Sequence, residues 1–359
     1  MGSGLLALLC CSAMLGLSGC WDAKDVDNSL IVGAVGLQHK SKEALRVWLR
    51  FPLPTAAEGN AKSDFFVMNE EGSTVPDALY KIQYKIPKAL DASSTRALLL
   101  DEKLANTGLS PYLEFAIRER SIPLDVVVAI VRGDMGRIFE SPNPTGELSG
   151  IYTKLFFEPY AGGMARKNKT MLWEIYSKFY NPFHANLIPL LKEGKQNSFE
   201  FAGNIMFLKD KIVGELNLDE SLVYELFTHK LHDSEVELLD RADFRIVHNH
   251  TRIRSAFKNG KPFIQIDCNL ATTLIDSSHT KQRDTSQILA ELEAHLNADA
   301  KSLIAKTQNA RADVFGFGNK FRGSLQPSQY QQWPDMYQTA TIEYRFHIKL
   351  RNTGLEFLD

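Results

Sequence analysis

From Ala340 to Arg351 the chain reads ATIEYRFHIKLR, and apolar and polar side chains alternate without a fault. Only an extended strand sends successive side chains to opposite faces. Ala340, Ile342, Tyr344, Phe346, Ile348 and Leu350 must therefore meet a core, while Thr341, Glu343, Arg345, His347, Lys349 and Arg351 meet water. Such a strand belongs to a sheet covered on one face. The polar face sets four potentially basic side chains against Glu343. It reads as a solvated sheet face, with a basic docking strip as the alternative.

The covering layer is also legible. Between Asp284 and Lys306, Ile288, Leu292, Leu296, Ala300 and Leu303 recur every three or four positions, which predicts a long helix with a core-facing stripe. Asp284 and Gln287 offer an N-terminal capping arrangement, and the helix would run roughly 35 Å. Two more strands precede it: RADFRIVHNHTRIRSAF and PFIQIDCNL flank Lys258-Asn259-Gly260-Lys261, and Asn-Gly between strand residues is the strongest short-range hairpin cue.

The N-terminal half has a different texture. Ser29 to Gln38, Ala44 to Leu53 and Phe65 to Asn69 read as strands, with Thr55 to Ser63 a polar loop. Ser73 or Thr74 can cap a helix through PDALYKIQYKI that Pro87 ends. Strands at Thr95 to Leu100 and Leu124 to Val131 then alternate with helices at Pro111 to Arg120, Gly133 to Glu140 and Met171 to Tyr180, a spacing that favours an open sheet with crossing helices. Gly194 to Ser198 has the composition of a linker. Beyond it, Lys209-Asp210-Lys211 joins Ala202 to Leu208 and Ile212 to Leu216 as a hairpin, and Asp219 is the expected cap of a helix over Leu222 to Leu231. The predicted class is α+β, multi-domain with three domains expected, of mixed and antiparallel sheets packed with helices. Residues 20–198 form an N-terminal α/β-type domain and 199–359 a C-terminal α+β region divisible into two subdomains.

The first residues belong to neither. Leu5 to Leu17 is a single uncharged run of 13 residues, too short for the roughly 20 that span a hydrocarbon core but suited to the apolar region of a signal peptide, assigned to residues 1–19. Leu17-Ser18-Gly19-Cys20 then matches the lipobox, whose cysteine thiol takes a diacylglyceryl group as a thioether before N-acylation. Cys20 is the predicted lipid attachment site. Each buried methylene is worth about 0.8 kcal/mol, so paired acyl chains give stable anchoring where one does not. The 340 residues from Cys20 onward contain only Cys20 and Cys268, too few for a disulfide framework. Cys268 is in phase with Ile264, Ile266 and Leu270, as a buried and inert thiol would be.

Chemistry is sparse. With 41 Lys and Arg against 43 Asp and Glu, the formal net charge of −2 gives no bulk attraction for nucleic acid, and no such partner is expected. The chain lacks Gly-x-x-x-x-Gly-Lys-Ser/Thr, Gly-x-Ser-x-Gly and His-Glu-x-x-His patterns. His229 with His232, and His248 with His250, bring no third ligand at metal-site spacing, so neither metal nor cofactor is predicted. Ala165 to Thr170, ARKNKT, is the densest basic cluster and reads as a loop of solvated lysines. Phe315 to Gly318, FGFG, follows a helix rather than opening one and reads as a turn. No catalytic residue is assigned.

The segment LSGCWDAKDVDNSLIVGAVGLQ, with Gly-Cys-Trp-Asp after the leader, resembles the start of the Ger(x)C proteins, lipoprotein subunits of nutrient germinant receptors in bacterial endospores. FAGNIMFLKDKIVGEL, ADVFGFGNKFRGS, Trp333 and the closing strand are similar to the C-terminal part of that family. The resemblance implies a non-enzymatic, three-domain α+β protein anchored through Cys20 to membrane lipid on the outer face of the spore inner membrane. It implies assembly with membrane-spanning A and B type subunits, one of them transporter-like, and a role in triggering germination in response to nutrients. The alternatives from the residues alone are a lipid-anchored solute-binding protein, expected to show two similar lobes about a hinge, and a cell-wall-acting enzyme.

Overall fold

The computed structural model describes residues 28–53, 65–142, 150–158, 167–194, 199–228, 235–238, 243–276 and 285–352. The first half runs β1 (Ser29–Ile31), β2 (Ala34–Ser41), β3 (Ala44–Pro52), β4 (Phe65–Gly72), α1 (Val75–Gln83), β5 (Ala89–Asp91), β6 (Ala97–Asp101), α2 (Glu102–Thr107) and α3 (Ser110–Arg118). It continues with β7 (Val127–Arg132), α4 (Met135–Glu140), α5 (Ile151–Phe156), α6 (Leu172–Phe179), β8 (Asn186–Glu193), β9 (Phe199–Leu208) and β10 (Lys211–Leu216).

Eight of these strands form one mixed sheet in the order β10-β9-β8-β7-β6-β2-β3-β4. Its middle, β2-β6-β7-β8, is parallel, and antiparallel strands extend it on both sides. Parallel strands need crossing helices and so bury both faces, which is why ALLL and VVAIV are unbroken apolar runs. Leu98, Leu100, Val128 and Ile130 pack with Ala78, Leu113 and Ile175 of the helices on one side, while Ala97, Leu99, Ala129 and Val131 pack with Met135, Ile138 and Phe139 on the other. Thr74 caps α1, its hydroxyl accepting from the Asp77 N–H at 3.2 Å.

Two local expectations are revised, and one strand not assigned from the sequence appears. The single strand predicted over Ser29 to Gln38 breaks after Ile31, because β1 pairs with β5 while β2 pairs with β6. β8 carries Pro189, which masks it as a strand in the sequence. Pro189 lies just before the Leu190–Lys192 stretch paired with β7, so its missing N–H removes no ladder bond on that side. Finally, the sheet continues past the linker-like residues 194–198: β8 and β9 pair from Asn186↔Phe207 to Glu193↔Phe199. The hairpin of β9 and β10 is thus hydrogen-bonded to the N-terminal strands.

The second half comprises α7 (Leu218–Thr228), β11 (Glu235–Leu238), β12 (Asp243–Lys258), β13 (Lys261–Asp276), α8 (Thr285–Asn309), α9 (Trp333–Gln338) and β14 (Thr341–Asn352). Asn217 rather than Asp219 caps α7: its side chain accepts from Glu220 N–H at 2.8 Å, and Glu220 accepts from Asn217 N–H at 2.9 Å. That reciprocal pair is a capping box. The strands form a sheet in the order β11-β12-β13-β14, with β14 returning parallel to β13 after the helices. Asn259 and Gly260 both take positive φ, 51° and 75°, as the tight turn between β12 and β13 requires.

One face of this sheet is core. Phe244, Ile246, Ile264, Ile266, Cys268, Leu270 and Phe346 meet the stripe of Ile288, Leu292, Leu296, Ala300 and Leu303, all buried as predicted. The other face is open, with Arg245, Arg252, Arg254, Arg345, Lys349 and Arg351 exposed on it. Cross-strand rows such as Arg252–Asp267–Arg345 and Arg254–Gln265–Glu343 fix that these side chains share one surface. The second core also takes in Phe183, Ala185, Leu187, Met206 and Leu216, so it is built directly onto the end of the large sheet.

Candidate functional site

Cys20, the leader, His229 and His232 lie outside the described residues. His248 and His250 are exposed on the open face of β12, and no group of three or more metal-ligating side chains occurs among the described residues. Cys268 is buried at 0% exposure, accepts a hydrogen bond from Thr251 Oγ1 at 3.2 Å, and burial pushes its thiol up to about 12. A thiol held so far from ionisation is a poor nucleophile. Of the ARKNKT cluster, Lys169 pairs with Glu158 and Lys167 sits 3.9 Å above the Phe156 ring, so these lysines serve the fold rather than a solvated loop.

The residues that do converge are those of ADVFGFGNKFRGS. Asp313, 3% exposed, accepts from Phe317 N–H at 3.1 Å, Gly318 N–H at 2.8 Å and Trp333 Nε1 at 2.8 Å. Burial pushes its carboxyl up to about 6, and the donors of Gly318, Trp333 and Phe317 pull against that shift. The two glycines are dictated by this node. Gly316 sits at φ 68°, and a Cβ there would lie 2.8 Å from His184 Nδ1. A Cβ on Gly318 would lie 2.6 Å from the Trp333 ring and 2.7 Å from Phe183. Sequence reading placed a turn here; the signal it undervalued is an aspartate four and five residues ahead of the N–H groups it caps.

The node joins the sheets. Ala185 N–H donates to Asp313 C=O at 2.8 Å, the His184 ring contacts Val314 C=O at 2.9 Å, and Asn181 Nδ2 donates to Asn319 at 3.2 Å. Phe183 packs edge-on against Trp333 and Tyr330, with Arg322 over its face at 5.1 Å. Behind it, Thr307 and Tyr337 hydroxyls meet at 2.7 Å, and Gln308 donates to Tyr337 and Ala340 carbonyls, fastening α8 to α9 and to the start of β14. Glu220, 1% exposed, receives Lys306 at 2.7 Å and Ser302 at 2.5 Å, tying α7 to α8.

Beside the node lies a cleft of about 680 Å³ whose lining includes Lys178, Lys209, Asp210, Arg311, Trp333 and Asp335. Arg311 is paired with Asp335 at 2.9 Å. Burial lowers the Lys178 pKa against the opposing pull of Glu174 and Glu225. With charges of both signs in its wall, the cleft has no preference for anion or cation. The arrangement clamps one sheet to the other, and its carboxylate is enclosed rather than presented to a substrate.

Comparisons with known proteins place the chain in a family. Residues 22–193 match the family described as the spore germination protein N-terminal domain, and residues 202–354 match spore germination B3/GerAC like, C-terminal. Spore germination protein B3 of Bacillus subtilis (strain 168) is 21% identical over 362 residues, covering 95% of this chain and 96% of the relative. Spore germination protein KC of the same organism is 19% identical over 398 residues, covering 98% and 96%. The crystal structure of the GerBC protein superposes with a TM-score of 0.57 at 16% identity, covering 89% of this chain and 97% of that one, which shows the shared α+β fold. The chain belongs to the Ger(x)C family of spore germination proteins.

Proposed function

We propose that this chain is the lipid-anchored C subunit of a nutrient germinant receptor, held by acylated Cys20 to the outer face of the spore inner membrane and assembled there with membrane-spanning A and B type subunits. The family match across both halves carries the reading. Two features support it. Among the described residues no helix is long and apolar enough to cross a membrane, and the lipobox predicted at Cys20 offers an attachment point. Ser29 lies nine positions after Cys20, and an extended chain of that length reaches about 30 Å, which keeps the large sheet close to the bilayer. The role is structural and communicative rather than catalytic: the family motif serves to lock two sheets together. A solute-binding protein would carry two similar lobes, whereas these sheets differ in strand number and in the faces they bury.

The test is Cys20→Ala in spores, followed by membrane fractionation, palmitate labelling and a nutrient germination assay. Loss of label, release from the membrane fraction and weakened germination are expected. Retention and labelling equal to wild type would refute the anchor. Normal germination with every nutrient after deletion of this gene alone, in a strain lacking other receptors, would refute the receptor role.

A further inference from the structure

The open face of the four-stranded sheet carries charge mainly of one sign. On β12 to β14, among the described residues, the exposed Arg245, Arg252, Arg254, Arg345, Lys349 and Arg351 are set against Asp243, Asp267 and Glu343, in a chain whose formal net charge is −2. Among the described residues, no ion pair engages any of the six cations. Asp267 is held instead by Gln265 at 3.2 Å.

Two ordinary explanations fall short. Charged side chains protect an exposed strand edge from pairing with another chain, and that accounts for β14. It reaches Arg252 and Arg254, which lie beyond the Asp243–Ile246 stretch paired with β11, but not Arg245, where β12 is paired on both sides, and protection of an edge does not call for charges of one sign. Nor does the face suit a stable protein partner, because the centre of such an interface is depleted of charge and built on aromatic anchors. Here the central rows are Arg252–Asp267–Arg345 and His250–Asn269–His347, with no apolar side chain among them.

From this we infer that the outer face of β12, β13 and β14 rests on an anionic phospholipid surface, its arginines and lysine meeting lipid phosphates. The face is extended and held rigid by two backbone ladders. It spans roughly 10 Å across the strands and about 30 Å along them, enough to meet several headgroups at once. Each Lys or Arg beside an anionic bilayer raises partitioning about fivefold, so the excess of cations gives on the order of 10²-fold. The inference rests on the membrane placement proposed above, and its test contains no acyl chain, so the two can fail separately.

The experiment uses the chain from residue 20 onward with Cys20→Ala, which has neither leader nor lipid. It is sedimented with vesicles of phosphatidylcholine alone or with about 30% phosphatidylglycerol at about 0.1 M NaCl. Binding on the order of 100-fold tighter to the anionic vesicles is expected, weakening as salt rises. The variant Arg252→Gln/Arg254→Gln/Arg345→Gln/Lys349→Gln should lose most of that preference while keeping its circular dichroism and melting temperature. Should it not fold, Arg252→Gln and Arg345→Gln alone should each weaken binding about fivefold. Neutralising Lys40, Lys42, Lys85 and Lys88, on and beside the other sheet, should change little. Equal binding to both vesicles, or an equal loss from the control cluster, overturns the inference. So does a wild-type chain that ignores both vesicles while the quadruple variant, still membrane-bound in spores, fails to support germination; that result assigns the face to a protein partner.

Discussion

β6 and β13 are both interior strands, yet Ala97–Asp101 is buried at every residue while β13 from Lys261 to Thr272 buries only alternate side chains. The difference lies in what each sheet is sandwiched between. Parallel pairing of β2, β6, β7 and β8 brings helices to both faces, whereas the second sheet is covered by helices on one. The large sheet is therefore closed to any partner through its faces, and the small one keeps a whole face for contact. In one chain, a sheet with helices on both faces stands beside a sheet with helices on one.

The sharpest way to break this comparison is to put a charge in the large sheet. Leu99→Asp, at a site 2% exposed in β6, should cost more than about 4 kcal/mol and abolish folding, read as loss of soluble protein. At the junction, Trp333→Ala removes the ring that fills the space between Phe183, Phe321 and Gly318 and the donor to Asp313. Denaturant melts should show a loss of about 3–5 kcal/mol. Asp313→Asn turns one acceptor oxygen into a donor facing N–H groups and should cost about 2–3 kcal/mol.

That variant also isolates a pH effect. The Asp313 carboxyl rises from about 3.9 in the unfolded chain to about 6 in the fold, so between these values the folded state binds the extra proton. Its contribution to stability is greatest below about pH 4 and is lost as pH climbs through 6. The stability gap between wild type and Asp313→Asn should shrink over that window; a gap that widens would show the carboxylate to be the favoured state there. At the opposite end, Arg254→Gln on the open face should change stability by less than about 0.5 kcal/mol, and a larger loss would mean that this face is already covered.

Legibility in the sequence followed the range of the interactions. The turn at Asn259–Gly260, the stripe of α8 and the alternation of β14 depend on neighbours within a few residues, and each stands as read. β8 escaped notice because a proline inside an apolar run normally argues against a central strand, and only the distant register with β7 excuses it. The Asp313 node was half visible. Gly316, Gly318 and Trp333 mark the family, but their need for one another rests on a fold that brings Phe183 and His184 from more than 100 residues away. The basic face was visible only as the strip on β14, since nothing local reveals that the arginines of β12 lie two strands across.

The same hairpin bears on the order in which the chain assembles. Residues paired between β12 and β13 begin three apart at Lys258↔Lys261, as do those of β2 with β3 and of β9 with β10, while the parallel pairings join β2 to β6 63 residues on and β13 to β14 at least 78 residues on. Closing a hairpin takes about 1–10 μs, whereas long-range parallel pairing is intrinsically slow. In pulsed hydrogen exchange during refolding, amides near the Asn259 turn should be protected early, together with those of the β2–β3 and β9–β10 hairpins, with the β13–β14 ladder and the parallel pairings of the large sheet following. The surface that carries the arginines would then be laid down from its tip before either core is complete.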